Sequence, residues 1–193
     1  MQKDIRICFI GDSFVAGVGD EQALGWSGRL CREANLASSQ VTYYNLGIRR
    51  NTSVDVLNRW QAECEPRLPG SCDGRIVFSF GVNDTSIEDG QPRVAFDASV
   101  LAMQKVLTAA KAYSPILVGP PAVANSAQNG RIELLSKAYK QAASEMSVPF
   151  IELYSHLSQD QAYQESVANF DGSHPRQAGY NKMASIIAES GKG

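Results

Sequence analysis

Five short apolar runs recur along the chain: Ile5–Ile10, Val41–Leu46, Arg75–Phe80, Pro115–Gly119 and Val148–Leu153. Their alternation with helix-period segments constrains the fold more than any other feature. The runs are β-branched or aromatic-rich and carry apolar residues on both sides, as strands covered on both faces do. Between them, Phe96, Val100, Met103, Leu107 and Ala110 fall at helical spacing, as do Ile132, Leu135, Tyr139, Ala142 and Met146. Tyr180, Met183, Ala184 and Ile187 make a further stripe near the end of the chain. Such stripes are core-facing helix surfaces. Leu24–Ala37 and Val54–Cys64 read as the two earlier helices. Asn51-Thr52-Ser53 offers cap residues for the second, and Pro92 suits the first turn of the next. Strand–helix alternation predicts a parallel sheet built by right-handed crossovers, with strand order 2-1-3-4-5.

A chain of 193 residues suits one domain, and no repeat, linker or low-complexity segment divides residues 1–193. Apolar residues make up 44% and charged residues 20%, an ordinary globular balance. With a net charge of -2 and no basic run, nothing argues for nucleic acid or an anionic membrane surface. The N-terminal apolar stretch is short and interrupted by charge, so neither a signal peptide nor a membrane span is expected, and a cytoplasmic location is. The cysteines Cys8, Cys31, Cys64 and Cys72 form no zinc-type spacing. Turns at Pro66 and Pro69-Gly70 leave Cys64 and Cys72 able to be neighbours, as free thiols or as a disulfide.

In a sheet of this type ligands bind at the carboxyl ends of the strands. The chemistry-bearing residues cluster there. Strand one runs into Gly11-Asp12-Ser13, strand two into Asn45-Leu46-Gly47 and strand three into Gly81-Val82-Asn83-Asp84. The last loop carries Asp171-Gly172-Ser173-His174. A serine hydroxyl becomes a useful nucleophile only when a base removes its proton. Of the two histidines, His174 has Asp171 three residues before it, and Pro175 holds it out of the helical region. That spacing lets a carboxylate reach Nδ1 while Nε2 faces Ser13. His156 has no carboxylate at a comparable spacing and reads as a loop or partly buried residue, with Glu152 four residues away. Asn83 is a neutral side-chain donor for an oxyanion, and the Gly47 N–H is open to close approach.

These four blocks, in this order, resemble the GDSL, or SGNH, hydrolase superfamily. The resemblance implies a flavodoxin-like three-layer α/β/α sandwich and hydrolysis of carboxylic or thio esters through an acyl-enzyme on Ser13. It implies His174 as general base and then acid, oriented by Asp171, with Ser13, Gly47 and Asn83 forming the oxyanion hole. No metal or organic cofactor is implied, and the partner is a small-molecule ester. Two positions depart from the family pattern. Phe14 follows the serine where leucine is common, and Arg50 stands where a second glycine is common, preceded by Arg49. The two arginines either meet an anionic substrate or lie solvated at the surface.

The main alternative is a non-catalytic flavodoxin-like or receiver-like binding module. Asp12 and Asp84 mimic a receiver's carboxylates, but Tyr154-Ser155-His156 supplies no lysine after strand five. An α/β-hydrolase elbow wants Gly-x-Ser-x-Gly, and Val15 stands where its second glycine would be.

Overall fold

The computed structural model describes residues 3–191. In chain order the elements are β1 (Ile5–Gly11), α1 (Ser13–Ala16), α2 (Gly25–Leu36), β2 (Val41–Gly47), α3 (Ser53–Cys64) and β3 (Asp73–Ser79). There follow β4 (Ile87–Glu88), β5 (Gln91–Pro92), α4 (Phe96–Ala109), β6 (Ile116–Val118) and α5 (Ser126–Glu145). The chain closes with β7 (Phe150–Ile151), α6 (Tyr154–Ser158), α7 (Gln161–Ala168) and α8 (Gln177–Ser190).

The main sheet is parallel with order β2-β1-β3-β6-β7, which is the predicted 2-1-3-4-5 once the small β4–β5 hairpin is set aside. Successive side chains of β1 point to opposite faces. Cys8 and Ile10 pack into one core with Trp60, Phe78, Met103 and Tyr139, under α3, α4 and α5. Phe9 points the other way, into a core with Trp26, Val118, Tyr163 and Tyr180, under α2, α7 and α8. Both cores exclude water from large apolar side chains, the dominant favourable term in folding.

Register fixes where the strands stop. Gly11 pairs with Gly47 on one side and with Ser79 on the other, so the first three strands end at one level. A Cβ at Gly11 would lie 1.8 Å from the Ser79 carbonyl oxygen and 2.6 Å from Val15 Cγ2. Only glycine fits that close approach of β1 to β3.

Several local expectations are corrected. Pro92 lies in the β4–β5 hairpin and not in a helix, and α4 starts at Phe96 after an extended Ala95. The segment 154–170, for which no helix is expected above, holds two helices, α6 and α7, because Leu157, Tyr163 and Val167 repeat an apolar face into the core. Strands β6 and β7 are shorter than their apolar runs, although Gly119 N–H still donates to Ile151 O at 2.8 Å. Pro175 precedes α8, whose N-cap is Arg176. The cap of α3 is Thr52, in a reciprocal box with Asp55. All four cysteines are free thiols: Cys64 lies with Cys8 in one buried core, and Cys72 is half-buried and unpaired with it. No helix among the described residues is long and apolar enough to cross a membrane.

Gly11→Ala is expected to lower the unfolding free energy by about 2–3 kcal/mol, since the nearest obstacle is backbone and cannot rotate away. Urea unfolding of the two proteins checks this; an unchanged midpoint would show that β1 and β3 separate freely.

Candidate active site

The site is assembled at the level where β1, β2 and β3 end. Asp12 takes an extended backbone and caps α1, its Oδ1 accepting the Phe14 N–H at 2.9 Å. The single turn that follows holds Ser13 directly over the sheet edge. The first N–H groups of a helix have no partner inside it, so the Ser13 N–H is available to an anionic oxygen.

The last loop reaches this point from the far end of the chain. Gly172 adopts φ +78, a left-handed conformation that glycine takes without strain. Its N–H donates to Val167 O at the end of α7, and its carbonyl accepts the Ala124 N–H at 2.9 Å. The loop is thereby fastened to α7 and to the segment after β6. Within it, Asp171 Oδ1 accepts the Ser173 and His174 N–H groups at 2.9 and 2.8 Å. Asp171 Oδ2 lies 2.6 Å from His174 Nδ1, and His174 Nε2 lies 2.7 Å from Ser13 Oγ. Ser13 is 3% exposed and His174 9%, so their contact is largely shielded from water, while Asp171 is exposed at the rim. The Phe14 ring sits 5.1 Å from the imidazole.

Two carboxyl groups in the site are driven in opposite directions. Partial burial alone would raise Asp171, but the hydrogen bonds from the His174 and Ser173 N–H groups and from the imidazole outweigh it and hold it below the usual carboxylate range. An ionised carboxylate only accepts, so it keeps a proton on Nδ1 and leaves Nε2 to accept the Ser13 hydroxyl proton. Asp12 is fully buried, and desolvation pushes it up to about 7 against the bond from the Phe14 N–H; the neighbouring Asp84 raises it further. Burial also raises Asp84, whose oxygens accept the Ser53 N–H and the Ser99 hydroxyl.

Asn83 opens a 3-10 turn after β3. Its Nδ2 donates to Asn51 O at 3.0 Å and lies 3.4 Å from Asp12 Oδ2. Both amide hydrogens thus have acceptors, the second over a long contact to the residue that precedes Ser13. Gly47 stands differently from its expected role. Its N–H donates to Asn45 Oδ1 at 3.0 Å, and Asn45 Nδ2 donates to Val15 O at 2.9 Å. A Cβ at Gly47 would lie 2.2 Å from Ala16 N, so the glycine lets β2 pass beneath α1. Three residues on, Arg50 takes φ +66, a left-handed conformation unusual for a side-chain-bearing residue. Among the described residues its N–H has no hydrogen-bond partner. Its guanidinium pairs with Glu88, and its carbonyl accepts from Arg93 Nη1 at 2.8 Å. Arg49 is exposed.

Ser13, Asn83, Asp171 and His174 are therefore brought together, with Gly47 beside them but its N–H already committed. His156 lies exposed on α6, apart from this chain of contacts. Sequence reasoning missed Asn45 and Asn51, which orient the groups around the hole. Asparagines in βα loops read as ordinary turn residues, and only spatial neighbours reveal what their amides hold.

Residues 9–182 match the model of the GDSL-like Lipase/Acylhydrolase family. The fold is similar to that of the lipase/acylhydrolase from Enterococcus faecalis, with a TM-score of 0.81 at 23% identity, covering 97% of this chain and 96% of that one. It is likewise similar to Axe2, an acetylxylan esterase from Geobacillus stearothermophilus, with a TM-score of 0.79 at 18% identity, covering 98% and 96%. At such identities the likeness concerns the fold. No curated protein matches the sequence.

The buried Asp12 gives a pH signature of its own. Its folded-state value, about 7, lies above its ordinary 3.8, so its contribution is fully present below about pH 4 and is lost as pH rises through 7. Asp12→Asn keeps a side-chain oxygen for the Phe14 N–H and removes this dependence. Relative to wild type, the variant should gain on the order of 3–4 kcal/mol between pH 4 and pH 8. Urea titrations across that range read the difference directly; a constant offset would mean that Asp12 stays ionised.

Proposed function

Since the chain belongs to the GDSL-like lipase/acylhydrolase family, a family of ester-hydrolysing enzymes, we propose that it cleaves its ester through a covalent acyl-enzyme on Ser13. The observation that carries this is the unbroken chain from Asp171 through His174 to Ser13 Oγ, with contacts of 2.6 and 2.7 Å. His174 Nε2 takes the hydroxyl proton as Ser13 Oγ attacks the acyl carbon. The carbonyl oxygen becomes negative and meets the Ser13 N–H and an Asn83 Nδ2–H, which exchanges its long 3.4 Å contact with Asp12 for the stronger one to the oxyanion. With the Gly47 N–H held by Asn45, the third donor is the Arg50 N–H, three residues further on. Donors placed in advance are worth about 3–4 kcal/mol each at such an oxygen. His174 then protonates the leaving alkoxide or thiolate. A water, deprotonated by His174 in turn, attacks the acyl carbon and releases the acid. Asp171, held ionised, stabilises the imidazolium formed in both halves.

A cavity of about 250 Å³, lined by Thr85, Pro92, Val94, Phe96, Leu134 and Leu135, opens beside the turn that carries Asn83. Its apolar walls suit a small hydrocarbon portion of the substrate. The exposed pairing of Arg50 with Glu88 leaves that guanidinium neutralised, which speaks against its use on an anionic substrate.

The test is hydrolysis of p-nitrophenyl esters of graded acyl length and of acetylated sugars by the purified protein. Ser13→Ala should lower kcat by on the order of 10⁴–10⁶ with the fold intact. A fluorophosphonate should label wild type at one equivalent and this variant not at all. Asp171→Asn should cost about 10⁴, because the wrong imidazole tautomer is then held. Near-full activity of Ser13→Ala would refute the mechanism.

A further inference from the structure

Beneath the site lies one cation that no step of the reaction uses. Arg59 projects from α3, and its side chain is only 15% exposed. Its Nε donates to Asn51 Oδ1 at 2.6 Å. Its Nη1 donates to both carboxylate oxygens of Glu63, one turn along α3, at 3.0 Å each. Its Nη2 donates to Gly11 O at 2.8 Å and to Leu46 O at 3.0 Å. A guanidinium has five N–H donors in a rigid planar fork, and here all five are placed.

The acceptors are what give this arrangement meaning. Gly11 ends β1 and is followed by Asp12 and Ser13. Leu46 lies one residue before the end of β2, at the start of the loop that runs to Arg50. Asn51 carries the carbonyl that receives Asn83 Nδ2 at 3.0 Å. The three segments carry, in turn, the nucleophile, the Arg50 backbone donor and the anchor of the Asn83 amide. Gly11 is far in sequence from the other two, which bracket the short connection between β2 and α3, and Arg59 touches all three acceptors. Glu63 grips the fork from below and fixes its plane.

From this geometry, and resting on the acyl-enzyme reading above, we infer that Arg59 is a positioning residue that sets the mutual spacing of the oxyanion-hole donors. It contacts neither substrate nor nucleophile. It acts through Asn51 on Asn83, and through two strand-end carbonyls on the Ser13 turn and the Arg50 loop. Lysine cannot replace it, since a single ammonium cannot span three divergent acceptors and a carboxylate in one plane. A misplacement of about 1 Å in a reacting constellation costs up to about 10²-fold, and the loss falls on the transition state, where the oxyanion exists.

The experiment uses the full-length enzyme with a p-nitrophenyl ester, at a temperature where every variant is shown folded by circular dichroism. Arg59→Lys and Arg59→Ala should lower kcat by roughly 10–10²-fold, with KM held within about twofold. Fluorophosphonate should still titrate one serine per chain at its end point. Added methylguanidinium should restore several-fold of the kcat of Arg59→Ala, whereas methylammonium should not. Asn51→Ala, which deletes only the Nε acceptor and keeps the Asn51 carbonyl, should lower kcat by about 5–10-fold and serves if Arg59→Ala does not fold. Folded variants that keep wild-type kcat despite a lowered melting temperature would overturn the inference and leave a purely structural arginine. A matched rise in KM, or rescue by both amines alike, would overturn it too. If Ser13→Ala is inactive while the Arg59 and Asn51 variants keep kcat, only this inference falls; if Ser13→Ala is active, the acyl-enzyme reading falls with it.

Discussion

Strand β1 is the member on which the site depends. It is central, flanked by β2 and β3, and its side chains alternate between two separate cores. Because both faces are packed, a slip of one residue would invert every side chain, so its register is strongly held. That register sets Gly11 opposite Gly47 and Ser79. The chain leaves all three strands at one height, and Ser13, the Arg50 loop and Asn83 leave with it. Glycine at positions 11 and 47 allows backbones to close to distances that any Cβ would forbid. The precision of the site begins as backbone packing, two residues before Ser13.

The electrostatics follow from the same packing. Asp171 sits at the rim, where three hydrogen bonds to it favour its charged form. Asp12 sits under the floor, where burial favours its neutral form and the nearby Asp84 compounds the effect. Asp171 is thereby held as a charge beside the imidazole, and Asp12 is a helix cap whose neutral form burial favours. The Arg59 fork, close to Asp12, pulls the other way, since its positive charge favours the ionised carboxylate, but burial outweighs it.

Much of this was legible in the residues. Apolar runs separated by helical stripes are enough to predict a parallel sheet and its order, because strands buried on both faces must be apolar throughout. The prediction erred where tertiary packing overrides local signals. Pro92 suits a helix start, yet the hairpin it joins leaves the chain extended there. The segment 154–170 looks irregular until Leu157, Tyr163 and Val167 are seen to share one buried face. Cys64 has a sequence neighbour in Cys72, but its helix turns it inward to Cys8.

For the site, local sequence was sufficient to nominate Ser13, Asn83, Asp171 and His174, since each is a reactive or donor residue just past a strand or in a turn-rich loop. Asp171 and His174 lie within one short loop, so spacing alone decides that they can touch. That His174 meets Ser13, 161 residues away, is decided only by the sheet that brings both loops to one edge. Which backbone N–H groups are spoken for is likewise invisible in one dimension: the Gly47 donor is taken by Asn45 through a side-chain contact that no spacing rule announces. By itself the sequence determined the chemistry at hand and the layered fold. Tertiary structure alone decided the orientation of the donors, because hydrogen bonds between distant segments exist only once packing has fixed where those segments lie.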